Sequence, residues 1–372
     1  MVEIEGLQKM KLGFGFYRHM LTPAYYSFAR QVGATHAVVH LVDYFNQGGA
    51  ANPRQDQPVG ELGGWGFAGD PDKLWDVHEL RTIKKGIEGA GLVWEAIENF
   101  DPAHWHDILL DGPQKKAQLQ KLKTIIHNVG EAGIPVIGYN FSVAGVAGRV
   151  SGPFARGGAI SVGMNGPVND PLPNGMVWNM IYDANAPVGF VPPTTPEQLW
   201  QRLADFLNEC LPVAEKAGVR LAAHPDDPPL PTVRGQARLV YRPELYRKLI
   251  DINPSRSNQL ECCVGTLGEM PEGEDLYDAV DRYSREGRIA YVHLRNIKGK
   301  VPFYQETHID EGDIDVLRIT RILHRNGFDG VVIPDHAPQL TCDAPWHAGM
   351  AFAMGYLRAC FQVVTGENVR AN

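Results

Sequence analysis

Four side chains of metal-binding type stand where four predicted strands end. They are His224 in LAAHPDD, Cys263 in LECCVGT, His293 in AYVHLRN and Asp335 in VVIPDHAP. Each closes or follows a short apolar run, and helix-like segments separate the runs. In a parallel α/β barrel the carboxyl ends of the strands face one mouth, so residues far apart in the chain meet at one point. Two imidazoles, a thiolate and a carboxylate suit a divalent transition metal. A lone strand-end histidine is more often simply hydrogen-bonded to a loop; it is the set of four that carries the metal reading.

The residues around these four widen the chemistry. Pro225 follows His224, has no N–H and turns the chain, which holds the imidazole at the mouth. Asp226 and Asp227 either orient ligands or close an ordinary turn. Cys262 and Cys263 are adjacent, so in a strand they face opposite sides, and alternation alone does not choose between them. His293 and Arg295 share parity, and a guanidinium at that height suits a two-pronged grip on a carboxylate; a structural ion pair is the alternative. His308, in QETHIDEGD, lies in the loop after the seventh strand, where it would touch substrate hydroxyls or pass a proton. His336, beside Asp335, suits acid/base work near neutral pH. His40, Glu98, Asn99, Tyr139 and Asn140 stand at other strand ends as pocket-lining candidates, and His104 and His106 flank Trp105 in what reads as a mouth-side loop.

Positioning these groups requires a regular alternation of elements. The apolar patterning predicts strands over Lys11–Phe16, His36–His40, Leu92–Glu98, Pro135–Asn140, Val219–His224, Gln259–Val264, Ile289–Asn296 and Gly330–Asp335. Helical spacing predicts helices near Pro23–Val32, Asp76–Gly91, Lys115–Ala132, Thr194–Gly218, Asp313–Arg325 and Trp346–Val364. Thr195 reads as an N-cap with Pro196 at the first helical position, and Gly312-Asp313 as the cap of a later helix. His127 and His324 fall inside helices and read as surface or packing residues. The count favours a single (β/α)8 TIM-type barrel spanning the chain, with mouth-covering insertions at about 45–70 and 142–193. The second insertion is too long for a structureless loop in a compact domain. No glycine fingerprint for dinucleotides follows the first strand, and no phosphate-cradling P-loop motif is present.

Composition narrows the class. At 372 residues and 44% apolar, the chain can bury a large core. A formal net charge of −8 argues against a nucleic-acid or anionic-membrane partner. Five cysteines in so long a chain suggest no disulfide framework, so a reducing compartment is expected. The start, MVEIEGLQKMKLG, lacks an apolar signal core and no run is long enough to span a bilayer, which points to a cytoplasmic location.

Taken in order, these segments resemble the mannonate dehydratase family of the xylose-isomerase-like barrels. The resemblance rests on VWEAIEN, Tyr139-Asn140-Phe141, HPDDPP from His224, Cys263-Val264-Gly265-Thr266, His293-Leu294-Arg295-Asn296, Glu306-Thr307-His308 with Gly312-Asp313, and Pro334-Asp335-His336. It implies a divalent metal, Mn(II) or Fe(II), held by His224, Cys263, His293 and Asp335, and it selects Cys263 over Cys262 because the cysteine that matches precedes a Gly-Thr turn. It also implies that His336 takes part in proton transfer, that Tyr139, Asn140, Arg295, Asn296 and His308 meet the substrate, and that D-mannonate loses water to give 2-dehydro-3-deoxy-D-gluconate. A homo-oligomer is expected. The chain departs from the family at SVAGVAGR after Phe141, at Ala337-Pro338 after His336, and at PWHAGMAF. The second proton-transfer group is left open between Tyr139, His347 and Tyr356. A metal-dependent sugar isomerase or epimerase, a sugar-acid-binding barrel without turnover, and a closed structural zinc site are the rival readings of the same pocket.

Overall fold

Eight parallel strands close into a barrel in the computed structural model, which describes residues 10–46, 58 and 63–366. They are β1 (Lys11–Phe16), β2 (His36–Val39), β3 (Val93–Glu98), β4 (Val136–Tyr139), β5 (Arg220–Ala223), β6 (Asn258–Cys263), β7 (Ile289–His293) and β8 (Val331–Ile333). Each pairs with its successor, and β8 closes on β1 through Val331 opposite Lys11 and Val332 opposite Leu12. The expected (β/α)8 barrel is therefore present. The predicted strands overrun it most at β7, which stops at His293 because Asn296 begins a separate hairpin.

Alternation sorts the side chains of each strand between two cores. Val38, Ala96, Val136, Ala222, Tyr291, Val331 and Ile333 pack the barrel's centre, and Ala290 joins them at the irregularity where β7 pairs with β6. Residues of the opposite parity, such as Ile137 and Tyr139 on β4, join the larger core between strands and helices. Gly138, between them, faces inward where space is tightest: a Cβ there would lie 2.0 Å from the Tyr291 hydroxyl and 2.4 Å from Glu261 Oε2.

The surrounding helices are α1 (Pro23–Gln31), α2 (Val77–Gly89), α3 (Pro102–Leu110), α4 (Lys115–Glu131), α5 (Pro196–Ala217), α6 (Leu245–Ile252), α7 (Val264–Glu269), α8 (Leu276–Arg285), α9 (Val316–Arg325) and α10 (Pro345–Thr365). Thr195 caps α5 as expected: its side chain accepts from Gln198 N, the Gln198 side chain accepts from Thr195 N, and Pro196 opens the helix. Two expectations fail here. The cap of α9 is Asp315, which accepts from Arg318 N at 2.8 Å, while Asp313 instead accepts from Gly299 N at 2.8 Å and pins the preceding hairpin. His104 and His106 are in α3, not in a loop. Asp101 caps that helix and Pro102 starts it, and both residues are turn formers that also open helices.

The 142–193 insertion is a folded layer. Arg149–Ala155 and Ala159–Asn165 form an antiparallel hairpin. Its second strand pairs with Phe303–Thr307, which pairs in turn with Asn296–Lys300, the two arms of a hairpin in the loop after β7. The result is a four-stranded sheet on the carboxyl side of the barrel. Most of the first expected insertion, residues 47–57 and 59–62, lies outside the described residues, as does most of the amino-terminal stretch that lacks a signal core. The end of that first insertion, Gly66–Phe67, pairs with Met180–Ile181 of the second. No helix among the described residues is long and apolar enough to cross a membrane.

Candidate metal centre

Strands β5, β6 and β7 end side by side, and their last inward residues meet. His224, Cys263 and His293 each bring one donor atom to within 4.8 Å of the others. Alternation settles the cysteine question: Cys263 faces inward with Glu261, and Cys262 packs in the outer core with Leu260. Asp335, two residues beyond β8, lies just outside this close set. Its Oδ1 is 3.6 Å from His293 Nδ1 and its Oδ2 is 3.9 Å from Cys263 Sγ. The carboxylate is drawn aside by Arg295 Nη1 and by His336 Nε2, the latter at 3.3 Å.

The second partners of these groups present their donor atoms to one another. His224 Nδ1 is 2.6 Å from the Pro225 carbonyl, which places a proton there and turns Nε2 inward. His293 Nε2 is 3.1 Å from Glu98 and 3.3 Å from Glu261, which leaves Nδ1 on the side of Asp335. Neither nitrogen of this buried ring makes an aligned hydrogen bond among the described residues. Cys263 Sγ accepts from Thr266 Oγ1 at 3.1 Å and from Arg295 Nη1 at 3.2 Å. Burial alone would push the Cys263 thiol up, but Arg295, His224 and His293 outweigh it and bring it down to about 5. Burial likewise opposes ionisation of Asp335, yet His336, His293 and Arg295 hold it well below the ordinary carboxylate range. Glu261 goes the other way, pushed up to about 8 by burial and by Glu98 beside it. An ionised thiolate, an ionised carboxylate and two imidazoles with inward nitrogens fit a divalent transition metal. Glu98, Glu261 and His293 meet as a second close set, deeper in the barrel and sharing His293.

A cavity opens directly above. His224, His293, Asp335 and His336 line it, as do His40, Glu98, Asn99 and Asn140. Tyr17, Tyr44, Trp65 and Trp178 form an aromatic wall. His336 Nδ1 lies 3.0 and 3.1 Å from the two oxygens of buried Glu306, which reaches it from the hairpin after β7. Asp227 also faces the cavity, whereas Asp226 turns away to accept from Leu239 N and Val240 N.

Several expected contacts are not brought to this cavity. Tyr139 has the outward parity of β4 and packs 5.3 Å from Phe206 of α5. Asn296 spends its side chain on Ile309 O, Ile314 O, Ile297 N and Ile314 N, so it fastens the hairpin after β7 and is not a cavity residue. His308 is buried with its ring 5.7 Å from that of Phe352 on α10, at the far edge of the loop. Arg295 does line the cavity, but its donors are already committed: Nη1 to Cys263 and Asp335, Nη2 to Asp227 and Glu269, with Nε 3.3 Å from Glu306. The ion-pair reading of Arg295 is the one its surroundings favour. His106 stacks on Tyr182 at 4.0 Å, and His347 packs against Phe28 at 4.7 Å. The sequence reading assigns no role to Arg149, Glu261 and Glu269, and Glu306 enters it only as part of the Glu306-Thr307-His308 segment. Glu261 shares the inward parity of Cys263, and that signal was available.

The D-mannonate dehydratase (UxuA) family model matches residues 30–148 and 193–365. The gap between the two blocks coincides with the hairpin and its continuation over the mouth. A mannonate dehydratase from Streptococcus suis (strain 05ZYH33) is 31% identical over 289 residues, covering 73% of this chain and 76% of the relative. One from Geobacillus thermodenitrificans (strain NG80-2) is 30% identical over 288 residues, covering 71% and 76%. The crystal structure of mannonate dehydratase from Streptococcus suis serotype 2 superposes with a TM-score of 0.74 at 24% identity, over 98% of this chain and 99% of that one, which speaks to the shared barrel. With the two matched blocks together spanning well over half of the chain, and the second carrying the strands that end at the metal-type residues, the chain belongs to the D-mannonate dehydratase (UxuA) family.

Proposed function

We propose that the protein is a hydro-lyase that removes water from a sugar acid, with D-mannonate as substrate and 2-dehydro-3-deoxy-D-gluconate as product. The observation that carries this reading is the cluster of His224, Cys263, His293 and Asp335 at the floor of an open cavity, in a chain of the mannonate dehydratase family. A structural zinc site would be closed by its four protein donors; here His224, His293 and Asp335 line a cavity that opens at the mouth.

In the reaction, a base takes the proton from C2, the C2–H electrons form the C2–C3 double bond, and the C3 hydroxyl leaves with a proton as water. The resulting enol becomes the 2-keto acid by moving one proton. His224, Cys263, His293 and Asp335 would hold a divalent metal, Mn(II) or Fe(II), which supplies Lewis-acid stabilisation of the negative charge that develops on substrate oxygen. His336 is the proton carrier at the cavity wall. Glu306 holds its Nδ1–H, which leaves Nε2 as the exchanging nitrogen beside Asp335. None of Tyr139, His347 or Tyr356 lines the cavity; among the described residues that do, His40, Tyr17 and Tyr44 are the candidates for the second proton transfer. Asn99 and Asn140 are placed to meet substrate hydroxyls.

Incubating the protein with D-mannonate and reading the product by NMR separates dehydration from isomerisation. A new C3 methylene beside a keto group is expected. An isomeric sugar acid with all its hydroxyls retained would replace this reading with the isomerase one.

A further inference from the structure

We propose that Arg149 receives the carboxylate of the substrate, and that the sheet carrying it makes the pocket selective for acids over neutral sugars. The proposal rests on the reading above that the substrate is a sugar acid.

A carboxylate inside a cavity needs a cation on the wall with donors to spare. Among the described residues no lysine lines this cavity, and two arginines do. Arg295 gives both terminal nitrogens to Cys263, Asp335, Asp227 and Glu269, and its Nε, though it too lacks an aligned hydrogen bond, already has the Glu306 carboxylate at 3.3 Å. Arg149 is different. Its side chain is 7% exposed and its Nη2 donates to Asp227 Oδ2 at 2.6 Å, yet its buried Nε has no hydrogen-bond acceptor among the described residues. A buried guanidinium donor left without an acceptor is costly, and a planar carboxylate along the Nε edge satisfies it with two parallel bonds. Asp227 is shared with Arg295 Nη2 at 3.0 Å, so it holds the Arg149 guanidinium in place from one side and leaves the other edge to a ligand. Val146 and Trp178 share the cavity wall, and besides Asp227 the acidic groups that act on Arg149 are Glu306 and Asp335.

The backbone explains why Arg149 stays at the wall. It begins the first strand of the sheet over the mouth, opposite Met164. The other side of that sheet carries Glu306, the partner of His336. One sheet therefore places both a carboxylate-binding donor and the support of the proton carrier. Arg149 is also the first residue beyond the family-matched block that ends at 148.

The test compares D-mannonate with D-mannitol, which keeps the chain of hydroxyls and lacks the charge, by calorimetry on Mn(II)-loaded protein. The native protein is expected to favour mannonate strongly. Arg149→Gln should reduce that preference about 50-fold, with mannitol binding and metal content unchanged, in line with loss of a paired ionic contact. Arg149→Lys should recover only part of it, because an ammonium keeps the charge and loses the fork. In steady state the loss should fall mainly on KM. If Arg149→Gln melts early, Arg149→Lys and rescue of Arg149→Ala by millimolar guanidinium carry the same comparison. An unchanged mannonate-to-mannitol ratio in folded, metal-loaded Arg149→Gln or Arg149→Lys would overturn the proposal, as would a native protein that does not discriminate the two ligands. Native protein that discriminates the two through Arg149 but never releases water would instead overturn the dehydratase reading alone.

Discussion

Cys262 and Cys263 differ by one position and face different worlds. Cys263 meets two imidazoles and the Arg295 guanidinium; Cys262 is held in an apolar layer, where burial pushes its thiol up. Cys263→Ser is expected to weaken Mn(II) binding about 10- to 100-fold and to cut turnover with it, while Cys262→Ser leaves metal content unchanged. Equal losses in both variants, read by metal analysis after dialysis, would undo the assignment. His336 sits one residue from Asp335 but is proposed as the proton carrier, so His336→Asn should keep its metal and lose at least about 100-fold in kcat. Loss of metal in that variant would move His336 into the donor set. At this scale the sequence was readable wherever a chemical residue type ended an apolar run: His224, Cys263, His293 and Asp335 all announce themselves in that way. Arg295 had the right parity but the wrong expected partner, because the five anionic groups around it come from four separate segments of the chain. Arg149 stands in a run of small residues without periodicity, and nothing local marks it.

Elements were legible when their signals are local. The capping box at Thr195, the apolar strand runs and the glycine stops all act within a few residues, and the corresponding helices and barrel strands lie close to where they were predicted. The sheet over the mouth was not legible as a sheet, because its central pairing joins Gly163–Asn165 to Phe303–Gln305 across much of the chain. Helix α3 was missed because Asp101-Pro102 signals a turn as readily as a helix start. Strand β4 shows how closely the barrel's inner layer supports the site. Gly138 leaves just enough room for the Tyr291 hydroxyl and Glu261. Gly138→Ala is therefore expected to destabilise the fold by about 1–3 kcal/mol through overpacking and to displace Glu261 from beneath His293. Chemical denaturation would check the first effect and metal affinity the second; a native-like midpoint and affinity would mean that the barrel centre has slack.

For the whole molecule, the barrel assigns roles by layer. The inner apolar layer fixes the spacing of strand ends, the strand ends supply the groups proposed to hold a metal, and the sheet over the mouth brings Arg149 to the cavity wall and Glu306 to His336. The family-matched blocks cover strands β2 to β8 of the barrel, while β1 and the sheet's first hairpin lie outside them. The most direct test of the central claim is anaerobic turnover of metal-stripped protein on D-mannonate and a panel of other aldonic acids, with and without added Mn(II) or Fe(II). The account requires a keto-deoxy acid that forms only when metal is restored, with D-mannonate the best substrate. One metal bound per chain and no keto-deoxy acid from any member of the panel would contradict it.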